Sequence, residues 1–237
     1  MTNTLCVTVE SGPKGKKVVA VAPDWPGLER GAKTEALAIE RLRTYIPRYL
    51  PVAKLAGMEA AFASATDRFT DSSAPDSSAT NMDVVERYPG TGSTDFWGIS
   101  FAFSSIDQQP MSDEELEREL TLMRACWTFF DEVRARVSAE MRRGPRGGGR
   151  DRDRIVQHTW AAELDWAKGI GVVMPLETLL SAEGLQEYRN AYCSAIQSFH
   201  AQAKMARKWP LRYLIRHTAF HTLDHAWEME DKDLTGK

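Results

Sequence analysis

Three of the five histidines in this 237-residue chain, His217, His221 and His225, follow one another at four-residue intervals. An α-helix turns by about 100° per residue, so four residues return a side chain to nearly the same face. If the segment is helical, the three imidazoles lie along one slowly drifting stripe. Imidazole is a common metal ligand, and the spacing therefore predicts a metal site on this helix.

A fourth histidine, His158, complements the stripe from a second predicted helix. A metal ion needs ligands from more than one element to fix its geometry, and His158 shares the apolar side of its segment with Ile155 and Ala162. If the two helices are neighbours, His158, His221 and His225 converge and leave one position open, as in catalytic zinc sites. Nitrogen ligands also suit nickel, iron or copper, so the residue types leave the metal open.

The same pattern has a structural alternative. Histidines between packed helices also make hydrogen bonds within the core and bind no metal. His217 lies one turn before His221, and we expect it to line the pocket or face solvent rather than to bind the ion.

Three further residues are candidates for the surroundings of the metal. A ligating imidazole needs an acceptor for its other N–H group, and Glu163 is a candidate for that orienting role. Trp166 is a candidate for the lining of an apolar substrate pocket. Glu228 lies three residues after His225, at the edge of the stripe, and is a candidate for the orienting role or for a catalytic base.

Four helices that position these residues are predicted from hydrophobic spacing in the second half of the chain. Ser112 and Glu115 form a capping-box pattern at the start of the first helix. Four helices with short connections in about 120 residues are typical of a four-helix bundle. The predicted helices cover residues 112–141, 151–168, 185–199 and 209–231.

The first 66 residues carry the pattern of a small α+β module. Thr4–Glu10 alternates apolar and polar residues and Val18–Val21 is a second apolar run, so the two segments predict a β-hairpin. Thr34 is the predicted N-cap of a helix that Pro47 is expected to end or kink.

The fold class expected is therefore α+β and mainly α, with three parts. Residues 1–66 form the α+β module, 67–110 a linker with one extra strand, and 111–237 the four-helix bundle. The polar run at 70–80 is typical of a loop, and Met82–Tyr88 predicts the extra strand.

Composition and charge exclude several classes of protein. A net charge of −3 gives no general attraction to nucleic acid or to an anionic membrane. No apolar run approaches the roughly 20 residues that cross a bilayer, and we see no secretory signal. The three cysteines lie far apart in no CxxC pattern, which is typical of reduced thiols, so we expect a cytoplasmic protein.

The run at 142–154 holds six arginines, two aspartates and a glycine cluster. It lacks the interleaved aromatic residues of a nucleic-acid groove, so no nucleic-acid partner is expected. A solvated loop between helices is the simpler interpretation, and an anion site near the mouth of the bundle is the alternative.

Residues ~112–231 resemble the DinB/YfiT-like superfamily of four-helix-bundle metalloproteins, which includes thiol S-transferases and mycothiol-dependent maleylpyruvate isomerases. The resemblance rests on HTWAAE, with His158 and Glu163, and on FHTLDH, with His221 and His225. It implies that the three histidines bind a divalent metal, zinc first, with nickel or iron as alternatives. It also implies that the metal activates water or a low-molecular-weight thiol cosubstrate for transfer, isomerisation or hydrolysis of a small molecule. A non-catalytic protein that binds metal or ligand on the same bundle is the alternative function.

The first ~60 residues resemble a HicB-like module. The similarity consists of two strands, a loop with the P-D-x-P-G element PDWPG, a G-x-x-T step and a helix. Such modules pair their sheets and assemble into oligomers, so the resemblance implies a homodimer. No DNA-binding helix pattern follows the module, so the antitoxin function of that family is not carried over.

Overall fold

The chain divides into two compact units in the computed structural model, Met1–Pro110 and Met111–Lys237. The structure describes residues 4–66, 82–144 and 149–235. Within these ranges it contains one four-stranded sheet and eight α-helices, which confirms the mixed α+β class. None of the described helices has the length and apolar character needed to cross a membrane.

The sheet of the first unit has the strand order β3-β2-β1-β4. Strands β1 (Leu5–Ser11), β2 (Val18–Val21) and β3 (Glu29–Ala32) are antiparallel neighbours, and β4 (Met82–Pro89) pairs parallel with β1. The predicted hairpin of β1 and β2 is confirmed. Strand β3 is not predicted, because its sequence ERGA has no apolar alternation and its conformation depends on pairing with β2.

Two helices follow the third strand. Helix α1 (Glu35–Leu55) packs against β2 and β3, and α2 (Glu59–Thr66) begins after Gly57, which has a positive φ of 69°. The predicted N-cap is confirmed, since the Thr34 hydroxyl accepts a hydrogen bond from the Leu37 backbone N–H at 3.3 Å.

Helix α1 does not end at Pro47, and it also contains Pro51. Both prolines are on the exposed side of the helix, while Tyr49 and Val52 are completely buried. The buried face therefore continues past the prolines, and its packing offsets the backbone hydrogen bonds that they remove.

Residues 82–110 belong to the first unit, whereas the sequence predicts a linker there. Strand β4 completes the sheet, and two short helices follow, α3 (Gly92–Trp97) and α4 (Ser105–Gln108). The predicted polar loop at 70–80 lies outside the described residues.

Two carboxylates hold this segment to the hairpin. Asp95 accepts backbone hydrogen bonds from the turn at residues 14–17, at 2.6 to 3.2 Å. The buried Glu10 accepts hydrogen bonds from the hydroxyls of Thr94 and Ser100, at 2.5 and 2.6 Å. Hydrogen bonds to a charged acceptor are the stronger kind, so these contacts account for the inclusion of the segment in the unit.

The second unit is built mainly from four long helices, which confirms the predicted number and order. The first of them ends earlier than predicted, because Val137 already has an extended backbone. Two 3₁₀ turns connect the second helix to the third. The helices are α5 (Asp113–Arg136), α6 (Arg152–Ala167), α7 (Ala182–Ala201) and α8 (Leu211–Lys232).

The four helices contact one another in a shared core. The Trp127 indole of α5 donates a hydrogen bond to Glu163 of α6 at 2.8 Å, and its ring lies 5.9 Å from that of Tyr192 on α7. The Tyr192 hydroxyl is in turn 2.9 Å from the Thr218 hydroxyl of α8. Sixteen of the 22 residues of α8 are buried, so the histidine stripe lies largely inside the unit.

The capping box at the start of α5 gives a testable contribution to stability. Ser112 accepts from the Glu115 backbone N–H at 3.2 Å, and Glu115 accepts from the Ser112 N–H at 2.8 Å. We expect Ser112→Ala to lower the free energy of unfolding by about 1 kcal/mol, measured by urea denaturation. Ser194→Ala, at an exposed position within α7, is the control and is expected to cost nothing; equal effects of the two changes would contradict the capping role.

Candidate metal centre

Helices α6 and α8 bring His158, His221 and His225 together. One nitrogen atom of each ring lies within 4.8 Å of the other two, and the ring centroids are 4.5 to 5.3 Å apart. His221 and His225 are one turn apart on α8, and His158 reaches them because α6 packs against α8. The predicted convergence of these side chains is confirmed, and the group has the composition to hold a metal ion.

The separation of two of the nitrogen atoms fits an ion of the size of zinc. The Nε2 atoms of His221 and His225 are 3.2 Å apart. Two imidazole nitrogens on a tetrahedral zinc ion, with bonds of roughly 2.0–2.1 Å, are about 3.3 Å apart. A hydrogen bond between the rings has a similar length and is the structural alternative. Such a bond involves only two rings, whereas a cation accounts for the proximity of all three.

Glu228 orients one of these imidazoles. His225 Nδ1 is 2.7 Å from Glu228 Oε2, so the ring donates its Nδ1–H to the carboxylate and Nε2 carries the lone pair. Lys232 donates to the other carboxylate oxygen. The hydrogen bond with His225, assisted by Lys232, lowers the pKa of Glu228 to about 2.

The contacts of Glu228 favour the orienting role over the role of a catalytic base. A carboxylate with so low a pKa, and with both oxygens already hydrogen-bonded, is a weak proton acceptor near neutral pH. The hydrogen bond with His225 is the contact expected of a residue that orients a metal-binding imidazole.

Burial favours the neutral form of the other two rings. Burial lowers the pKa of His158 and lowers that of His221 further, and the positive charge of Arg150 acts in the same direction on both. A metal ligand must be deprotonated, so these lowered pKa values favour ligation near neutral pH. Arg150 belongs to the Arg/Gly-rich run, which places one of its charges close to the histidines.

His217 lies in an aromatic box rather than in the ligand group. Only 2% of its surface is exposed, which rules out the solvent-facing alternative. Its ring is stacked on Tyr213, with centroids 5.2 Å apart, and lies 4.7 Å from Trp166 and 5.4 Å from Trp209. Burial lowers the pKa of His217 to about 3, so the ring is neutral.

Trp166 joins this box to the histidine group, since its ring is also 5.1 Å from that of His221. Tyr213 is not among the site residues predicted from the sequence. The sequence does contain a signal for Tyr213, because the four-residue repeat of the histidines extends backwards through α8 to the residue before its N-cap. The repeat comprises Trp209, Tyr213, His217, His221 and His225.

Glu163 does not take the orienting role proposed for it. Its carboxylate accepts the Trp127 indole N–H at 2.8 Å, and burial raises its pKa to about 7. Five residues separate it from His158, which places the two side chains about 140° apart around α6. The acceptor next to a histidine ligand is Glu228 instead.

The cysteines do not supply an activated nucleophile. Cys126 and Cys193 are buried and Cys6 is partly buried, and burial raises the pKa of all three thiols. A raised pKa disfavours the thiolate, which is the reactive form. Any thiol chemistry at the histidine group therefore requires a thiol from outside the chain.

The orienting contact gives a second testable prediction. We expect Glu228→Ala to weaken zinc affinity by about 10–100-fold, because His225 loses the acceptor that fixes its ring. The affinity is measured by competition with a chromophoric chelator. Glu230→Ala removes a carboxylate from the same helix that pairs with Arg136 and is expected to leave zinc affinity unchanged; equal losses would rule out a specific role of Glu228.

Comparison of the chain with protein-family models, with curated proteins and with solved structures finds no match.

Proposed function

We propose that this protein is a metal-dependent enzyme of the DinB-like superfamily that acts on a small molecule by transfer, isomerisation or hydrolysis. The observation that carries the proposal is the convergence of His158, His221 and His225 from two helices. A divalent cation bound there, with zinc the first candidate and nickel or iron the alternatives, supplies Lewis acidity that lowers the pKa of a thiol or of water.

In this proposal the side chains of the protein bind the metal ion and orient its ligands. Three imidazoles form an incomplete ligand set for a tetrahedral ion, so one position is left for a small molecule. His225 is held by Glu228, and Glu228 is held by Lys232. His158 and His221 are partly buried, so each of the two side chains keeps some exposed surface.

The surroundings favour a thiol over water as the activated group. Within the described part of the chain, the ligand group contains three histidines and no carboxylate, and Glu228 is occupied by its two hydrogen bonds. A divalent cation lowers the pKa of bound water as well as that of a bound thiol, but a thiol is the stronger acid to begin with and therefore depends less on a protein base. We therefore propose a low-molecular-weight thiol as the cosubstrate.

The same lack of a base also favours the alternative function, a non-catalytic protein that binds a metal or a ligand.

Two assays on one zinc-loaded preparation separate the alternatives. The first measures thioether formation between 2-mercaptoethanol and 1-chloro-2,4-dinitrobenzene, and the second measures hydrolysis of 4-nitrophenyl acetate.

We expect thioether formation to be faster with the wild-type protein than with His221→Ala or with EDTA-treated protein. His200→Ala, which changes a histidine that is 2.8 Å from the Met111 carbonyl, is the control and is expected to keep the wild-type rate. Equal rates for the wild type and His221→Ala in both assays would favour the binding protein.

For the first unit we propose a HicB-like module that forms a homodimer. Its order of two strands, a loop and a helix supports the similarity, with β3 as an addition. Phe96 and Trp97 are 73% and 65% exposed, and large exposed aromatic rings are typical of association surfaces. Sedimentation equilibrium tests this proposal: a dimer is expected for the wild type and a monomer for a Phe96→Ser/Trp97→Ser variant, and a monomeric wild type would refute it.

A further inference from the structure

The second unit contains a cavity of about 350 Å³ at the end of α6, next to the segment that leads into α8. One side is formed by Asp165, Trp166 and Gly169, and the other by residues 206–209. Sites for small molecules usually have volumes of roughly 300–1,000 Å³, so the cavity is large enough for a compact ligand.

The apolar surface of the cavity comes from two indole rings. Trp166 and Trp209 are partly buried, with ring centroids 6.1 Å apart and an angle of 48° between the planes. Both rings also contact the buried His217, and this contact holds the two indole rings in place. Two inclined aromatic surfaces suit a ligand with a flat apolar body.

The opposite side of the cavity carries uncompensated positive charge. Arg207 and Lys208 are exposed, and neither makes an ion pair with any residue in the described part of the chain. Asp165, the acidic residue of the lining, already pairs with Lys168 at 3.2 Å. Two free cations next to an apolar surface favour a ligand that carries a negative charge.

Arg207, one of these two cations, has a strained backbone conformation. Ala206 and Trp209 exchange two backbone hydrogen bonds of 2.9 Å and close a tight turn, in which Arg207 has a φ of 55°. Glycine adopts this conformation freely, whereas a residue with a side chain is strained there, and such residues cluster at ligand sites. Ala203 has a similar φ of 50° but does not line the cavity, so it provides a matched control.

We propose that this cavity binds a small aromatic carboxylate, with its ring against Trp166 and Trp209 and its carboxylate at Arg207 and Lys208. The site goes beyond the proposed function, because it needs no metal. Trp166 also contacts His221, so a ligand bound here lies beside the histidine group.

Isothermal titration calorimetry of the full chain in EDTA tests the proposal, with 2-naphthoate as the probe and 2-naphthalenemethanol as its neutral analogue. We expect 2-naphthoate to bind and the alcohol to bind at least about tenfold more weakly, since the alcohol has no charge for the two cations. Arg207→Gly is expected to weaken 2-naphthoate binding about tenfold and to fold at least as well as the wild type, because glycine relieves the strain. Ala203→Gly relieves similar strain without loss of charge and is expected to keep wild-type affinity.

Three results would overturn the assignment. The first is no binding of 2-naphthoate, and the second is equal binding of the alcohol. The third is full affinity in Arg207→Gly together with loss of affinity in Arg150→Ala, which would place the anion at the Arg/Gly-rich run instead.

Discussion

Replacing His221 with alanine is expected to remove most of the stabilisation of this protein by zinc. A ligand present at about 1,000 times its dissociation constant stabilises the folded state by about 4 kcal/mol when it binds only that state. His221 is one of three nitrogen ligands in the proposed site, and its loss is expected to weaken binding more than the roughly 10–100-fold typical of an orienting partner. The measurement is thermal unfolding of the wild type and the variant, with EDTA and with excess zinc.

The control for this experiment is His200→Ala. His200 lies on α7 and is 2.8 Å from the Met111 carbonyl, outside the three-histidine group. It is expected to keep the full zinc-dependent rise in unfolding temperature. A rise of equal size in His221→Ala would contradict the assignment of His221 as a ligand.

Replacing Glu163 with glutamine is expected to remove a pH dependence from the stability of the protein. Burial raises the pKa of Glu163 from 4.5 to about 7. Between these values the folded state holds the proton and the unfolded state releases it, so the free energy of unfolding falls as the pH rises through this window. The fall amounts to at most about 3.5 kcal/mol, at about 1.4 kcal/mol for each pH unit. Glutamine does not titrate, so we expect the variant to be the more stable protein at pH 8, by up to this amount.

Urea denaturation of both proteins at pH 5 and pH 8 tests this prediction. His217, whose pKa burial lowers to about 3, makes both proteins less stable as the pH falls below about 6.5, and this effect cancels in the difference between them. Glu187→Gln, at an exposed position of α7, is the control and is expected to follow the wild type at both pH values. A constant difference between Glu163→Gln and the wild type would show that Glu163 does not titrate in this range.

Local signals account for the parts of the fold that the sequence predicts. The long helices of the second unit follow from hydrophobic spacing, and two of the helix starts follow from side-chain caps at Thr34 and Ser112. Strand β3 has no such signal, because its Glu29 and Arg30 are buried only after pairing and packing. The continuation of α1 past Pro47 likewise depends on packing of the opposite face.

Some features of the candidate site are also predictable from the sequence, and others depend on the tertiary structure. Convergence of His158 with His221 and His225 is predictable, because each histidine lies on the inward side of its own helix. The role of Glu163 is misassigned because sequence proximity to His158 ignores the rotation between them around the helix. The strain at Arg207 depends on the tertiary structure and has no sequence pattern that predicts it.

The most direct test of the metal site combines elemental analysis with X-ray absorption spectroscopy of the zinc-loaded full chain. Binding by His158, His221 and His225 predicts one zinc ion per chain and three imidazole nitrogens at roughly 2.0–2.1 Å. Less than stoichiometric zinc after loading, or a ligand set with fewer than three imidazoles, would contradict the three-histidine site.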